Sequence, residues 1–121
     1  TSAQGLELLQ AAESVYVVET DTKSSKLRLL KTASKRQAAA GELVEIAIRY
    51  ENIGETPINN LSIFDSLSAR LQYVDQSSRS SRPASFTQKV NEVGSKMLRW
   101  EINEEVPPHQ YGVISFMVRV L

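Results

Sequence analysis

Few residues in this chain have the type or the spacing that chemistry requires. There is one histidine, His109, and no cysteine, so neither a histidine cluster nor a thiolate site for a metal can be assembled, and no cysteine nucleophile exists. A general base at His109 would need a partner the sequence does not advertise, and beside Pro107 and Pro108 it reads as a loop residue. No G-x-S-x-G elbow, phosphate-cradling glycine loop or H-E-x-x-H is present. Sandwich modules can bind calcium between loops with oxygen ligands, and Asp65, Asp75, Glu104 and Glu105 lie at predicted strand ends. No dense D-x-D-x-D-G loop accompanies them, so no metal is expected, and Asp65 and Asp75 are the weak calcium candidates. Asp65 also reads as a turn residue whose carboxylate accepts backbone N–H bonds. For a ligand, the candidates are Arg79 and Arg82, which could meet a phosphate or an acidic glycan, and Trp100 and Tyr111, which could stack on sugar. The tripeptide Asn60-Leu61-Ser62 is a chance sequon at a predicted strand start. No catalytic residue and no cofactor is expected.

The elements that would position these residues are strands. From Gly41 to Glu51 the apolar residues Val44, Ile46, Ile48 and Tyr50 alternate with Glu45, Arg49 and Glu51, the period of a strand with one buried face. The connection that follows holds Asn52, Gly54 and Pro57, and Leu61 and Ile63 resume the alternation. Leu98, Trp100 and Ile102 share one face of a later strand, which makes Trp100 a core residue first and a ligand platform second. In the closing strand, Gly112 to Leu121, Ile114, Phe116, Val118 and Val120 point inward against Ser115 and Arg119. Leu71 to Val74 is a further short strand. Phe86 to Val93 and Lys96 to Ile102 form a hairpin about Gly94, and Glu104 to Tyr111 is a proline-stiffened connection.

Three segments are less regular. Gly5 to Glu13 has helical spacing for two turns at most, a marginal length, and Ser14 to Thr20 is a β-branched, aromatic strand. Lys23 to Arg36 carries six basic residues and no acidic one, interleaved with leucines. Without aromatic platforms this is no nucleic-acid site, and it reads as an outer strand with a basic solvent face that discourages pairing. Gln76 to Ser85, with five serines, two arginines and a proline, is the clearest loop, and Gln37 to Ala40 is a second.

Composition narrows the class further. The 121 residues are one domain's worth, and fourteen basic residues balance fourteen acidic ones, so no net field draws the chain to nucleic acid or an anionic membrane. No apolar run is long enough to span a bilayer, and the first residues lack the pattern of a signal peptide. The start at Thr1 and the apolar alternation still running at Leu121 lead us to expect a piece of a longer protein. Short strands with turn signals every ten residues or so predict an all-β, immunoglobulin-like sandwich of roughly seven to eight antiparallel strands, with a short N-terminal helix. The predicted division is a leading linker or extra helix or strand over 1–26 and the sandwich over 27–121.

Several of these signals fall in the order of a known module. Leu27, Leu29 and Lys31, then Gly41-Glu42, Asn52 and Gly54, Asn59-Asn60, Asp65 with Leu67, Leu71-x-Tyr73-Val74, Leu98-x-Trp100 and the strand Ile114 to Val120 follow one another along the chain. In this order the sequence resembles the bacterial conserved-repeat domain known as domain of unknown function eleven, an immunoglobulin-like module found in tandem in surface and cell-envelope proteins. Two turns depart from the pattern: Ser68-Ala69-Arg70 replaces its proline and glycine, and Pro107-Pro108-His109 its Pro-Gly. The resemblance implies a non-catalytic spacer or adhesive unit of an exported bacterial protein, at the cell surface or in the periplasm. Its partners would be neighbouring domains of the same polypeptide, other surface proteins or glycans, without membrane insertion. Some surface modules of this shape carry a Lys–Asn isopeptide crosslink. Lys31 is suitably placed, but Gly112 to Leu121 contains no asparagine, so none is expected. A carbohydrate-binding module and an accessory domain of an exported enzyme are the alternative readings.

Overall fold

The computed structural model describes residues 6–7, 15–18, 26–90 and 96–121. These form strands β1 (Leu6–Glu7), β2 (Val15–Val18), β3 (Leu27–Ala33), β4 (Gln37–Ala38), β5 (Leu43–Asn52) and β6 (Ser62–Leu67). They continue with β7 (Leu71–Tyr73), β8 (Arg79–Ser80), β9 (Ala84–Val90), β10 (Lys96–Ile102) and β11 (Tyr111–Val120), with no helix among the described residues. Two antiparallel sheets pack face to face, one in the order β2-β6-β10-β9 and the other β3-β5-β11-β7, with β8 continuing the β7 edge along β11. The molecule is an all-β sandwich, and eight of its strands run three residues or longer.

The alternation in the sequence sets the register. Val44, Ile46, Ile48 and Tyr50 lie directly opposite Val118, Phe116, Ile114 and Gly112, so both long central strands turn the same face inward. On the facing sheet, Ile63 pairs with Trp100 and Asp65 with Leu98. The core formed between them includes Trp100, Phe116, Tyr50 and the isoleucines of β5, all with almost no solvent exposure. Gly112 has a specific reason to be glycine. A Cβ there would fall on Oη and Cζ of Tyr50, whose ring covers the gap the glycine leaves in the neighbouring strand.

Between the sheets, buried Asn52 holds the turn after β5. Its Nδ2 donates to the carbonyls of Thr56 (2.8 Å) and Val106 (3.0 Å), and its Oδ1 accepts from the N–H of Gly54 at 2.9 Å. This is the turn chemistry expected of Asn52 and Gly54. Asn60, at φ 57°, takes the left-handed conformation before β6 that asparagine tolerates.

Four expectations need correction. Leu6 and Glu7, placed in a short helix, are extended and pair with Ala38 and Gln37; the remainder of that proposed helix lies outside the described residues. Gln37–Ala38 is accordingly a strand within the predicted loop. The serine-arginine loop is likewise interrupted, since Arg79 and Ser80 pair with Ser115 and Ile114, and β9 already begins at Ala84. Two-residue strands carry no period, which is why alternation does not reveal them. Asp65, expected at a turn, and Lys31, expected on a basic solvent face, both turn inward between the sheets. Residues 15–18, within the predicted early strand, pair with β6 and so extend the four-stranded sheet. The predicted glycine turn at 93–95 lies outside the described residues.

Candidate interaction site

Among the described residues, two places gather residues singled out in the sequence. The first is internal. Along β3 the half-buried residues are Leu27, Leu29, Lys31 and Ala33, so Lys31 belongs to the inward face and not to the basic solvent face the sequence suggests. Asp65 stands in the middle of β6, between Ile63 and Leu67, and is fully buried. It is no turn residue. The Lys31 Nζ reaches across from the opposite sheet, donates to Oδ1 at 2.8 Å and lies 2.8 Å from Oδ2. Oδ2 has the charge beside it but no donor in hydrogen-bonding geometry.

The electrostatics of this pair are informative. Burial pushes the Asp65 carboxyl up to about 6 although the lysine pulls it down, and burial lowers Lys31 although the aspartate pulls it up. In each partner desolvation outweighs attraction. The pair is thus a cost to stability at neutral pH that either ion would bear more heavily alone. Its position on an edge strand fits a different role, since a charge pointing inward from an edge penalises any shift of that strand's register. As a calcium ligand Asp65 is badly placed, with the lysine ammonium already against it. Among the described residues no three acidic, histidine or cysteine side chains are arranged to share a metal.

The second place is at the opposite flank. Where β7, the 75–78 segment and β8 of one sheet part from β9 of the other, they leave an open groove of about 510 Å³. Its floor is aromatic. Phe86 sits with its ring centroid 5.2 Å from those of both Tyr73 and Trp100, and Phe116 closes the cluster from beneath. Its walls are polar, with Asp75, Ser78, Arg79 and Gln88 among them. The Trp100 indole N–H donates to Ser78 Oγ at 2.7 Å, and the Ser78 N–H donates to Tyr73 Oη at 3.1 Å, so the wall is tied to the floor.

Of the residues singled out in the sequence, Arg79, Asp75 and Trp100 meet at this groove. Trp100 is only 1% exposed, so its ring supports the floor and offers no face for a sugar to stack on. Arg82 and Tyr111 lie elsewhere. Arg82 fastens the last connection, donating through Nε to the Tyr111 carbonyl (3.0 Å) and through Nη2 to Gln110 Oε1 (3.1 Å). The Tyr111 ring is half exposed on the outer face of the five-stranded sheet, with the Arg49 guanidinium 4.2 Å above it. The sequence reading missed Phe86, Tyr73, Ser78 and Gln88 as groove residues. One signal was available, for Phe86 is the lone aromatic in its strand, flanked on both sides by polar residues.

Fold and groove together define a β-sandwich with one open flank. Compared with known protein families, curated proteins and solved structures, the chain matches none. No helix among the described residues is long and apolar enough to cross a membrane.

Proposed function

We propose that this chain is a non-catalytic, immunoglobulin-like module of an exported bacterial surface or cell-envelope protein, serving as a spacer and as a protein-interaction domain. The observation that carries the reading is the contrast between a continuous apolar core, which makes a compact and stiff building unit, and one flank left open as a groove beside an outer strand. The order of Gly41-Glu42, Asn52-x-Gly54, Asp65-x-Leu67 and Leu71-x-Tyr73-Val74 supports the module by resemblance. We assign it no catalytic residue. Its partners are adjoining domains of the same polypeptide and other surface proteins. The test is location: protease shaving of intact cells that make the protein, followed by immunoblotting of the fractions. Release of the module by external protease is expected, and full protection inside the cytosolic fraction would overturn the reading.

A second reading, a carbohydrate-binding module, draws on the mixed aromatic and polar lining of the groove. With Trp100 buried, Phe86 is the ring left to meet a sugar. Soluble oligosaccharides that shift the resonances of Phe86 and Gln88 at millimolar concentration would favour it.

A further inference from the structure

Strand β9 pairs with β10 and, among the described residues, has no neighbour on its other side. Which of its backbone groups are free follows from the ladder. The N–H of Asn103 donates to the Pro83 carbonyl at 2.8 Å, and in an antiparallel pair such bonded positions recur every second residue. With the register Glu101 to Ser85, Arg99 to Thr87 and Met97 to Lys89, those are the residues of β9 that bond to β10. The other side of β10 agrees, since Ile102 N–H donates to Leu61 on the β6 flank. Ala84, Phe86 and Gln88 therefore aim their N–H and C=O groups outward. The same three residues line the groove with their side chains.

This coincidence has a geometric consequence. A strand added antiparallel to β9 would bond to Phe86 and Gln88, and residues directly opposite each other in a sheet carry their side chains on the same face. Alternate side chains of the added strand would enter the groove. The one opposite Phe86 would meet the aromatic floor of Tyr73, Phe86 and Trp100. The one opposite Gln88 would meet the end where Lys96 Nζ donates to Gln88 Oε1 at 3.2 Å. The groove lining holds Arg79 against the single carboxylate of Asp75, and the Lys96 ammonium stands at Gln88. An acidic side chain opposite Gln88 would meet the Lys96 ammonium, whereas Lys89, exposed on the other face of the edge strand, discourages indiscriminate pairing.

We propose that the groove and the free edge of β9 form one site for an extended peptide segment that joins the four-stranded sheet as a further strand. The segment carries an acidic residue opposite Gln88 and an apolar residue opposite Phe86, and because the added strand is antiparallel it reads acidic-x-apolar in chain direction. Main-chain bonds supply affinity and the two groove positions supply selection. The proposal rests on the interaction-module reading, yet the two fail separately, since the parent protein could prove cytosolic while the groove still takes peptide.

The test uses the whole 121-residue chain and a nine-residue peptide of alternating threonine and valine with Glu-Thr-Leu at its centre. Titration followed by amide resonances is expected to shift Ala84, Phe86 and Gln88 and to slow their hydrogen exchange at least tenfold. Replacing the peptide's glutamate by lysine, or N-methylating the amides that face β9, is expected to weaken binding at least tenfold. Neither control alters the protein. Gln88→Pro, which removes an outward N–H, is expected to do the same with the remaining amide spectrum unchanged. Equal binding of the N-methylated peptide would overturn the proposal, as would unmoved β9 amides at millimolar peptide. A response to oligosaccharide in place of peptide would also overturn it, and so would protection of the same amides in a dimer of the chain without peptide.

Discussion

The two outer strands at opposite flanks of the sandwich are finished in opposite ways. β3 turns a lysine inward to a buried aspartate of the other sheet, so a shift of its pairing by one residue would carry the ammonium to solvent and strand the carboxylate. β9 has no such pin. Its inward residues are Ala84, Phe86 and Gln88, partly or wholly exposed, and beside them the sheets part. One edge spends stability on having a single register, and the other keeps its backbone groups and an aromatic floor accessible. The desolvated charge in this molecule lies where pairing must be unique, away from the groove where a partner would arrive.

Removing one half of the pin should have the largest effect. Asp65→Ala leaves the Lys31 ammonium between the sheets without its carboxylate, and a loss of about 3–5 kcal/mol is expected in denaturant unfolding. The double change Lys31→Met with Asp65→Leu should recover that loss and match or exceed the parent by about 1–4 kcal/mol, because both ions are disfavoured by burial. If the double variant were as unstable as the single one, the pair would be a net source of stability and the contrast between the edges would lose its basis.

The same pin should be visible in pH dependence. The Asp65 carboxyl is held at about 6 in the folded chain against an ordinary 3.8, so between these values the folded state binds the extra proton. Stability conferred by this group is full below the lower value and is lost as pH rises through the upper one, a difference of roughly 3 kcal/mol. The Asp65 carboxyl carbon should titrate with a midpoint near 6 by NMR. Lys31→Met, which removes the only influences lowering it, should move that midpoint higher. A midpoint at or below 4 would mean that the attraction of Lys31 offsets the burial of Asp65, and the pair would then be no net cost.

Proline probes the open edge. Thr87 bonds to β10 and Gln88 faces away, so Thr87→Pro should cost a ladder hydrogen bond, about 1–2 kcal/mol beyond Gln88→Pro at the next residue. Equal losses from both would show that the outward N–H of Gln88 is already engaged.

How far the sequence anticipates this contrast depends on the range of the contacts involved. Alternation in Val44 to Tyr50, Leu98 to Ile102 and Ile114 to Val120 identifies the central strands and the core position of Trp100 without help from the fold, because each strand reports its own buried face. The pin was legible in part. Lys31 shares the parity of Leu27 and Leu29, and Asp65 that of Ile63 and Leu67, but a basic run with Leu30 also in it masks the first, and nothing local says that two residues from different sheets will meet. The groove was not legible, since it takes residues from β7, β8, β9 and β10 and exists only where two sheets diverge. Of its candidates, Arg79 and Asp75 were found by charge. Phe86 and Ser78 owe their place to partners far along the chain.

The smallest effect should come from Ser78→Ala, and its size separates the two flanks most finely. Ser78 Oγ is the acceptor for the Trp100 indole N–H, a bond made by an almost fully buried ring at the wall of an open groove. In a dry interior, deleting the acceptor would leave the donor unsatisfied and cost up to about 3 kcal/mol. At the groove, water can take the vacated position, which has room and polar neighbours in Asp75, Arg79 and Gln88. A loss nearer 1 kcal/mol is therefore expected, with Trp100 emission still at the short wavelength of a buried indole because the ring keeps its packing against Phe86 and Phe116. Asp65 has no such access to solvent, which is why the same kind of deletion there should cost several times more. A Ser78→Ala loss approaching that of Asp65→Ala would make the groove as dry as the pinned flank, and a strand could then enter only by first opening the sandwich.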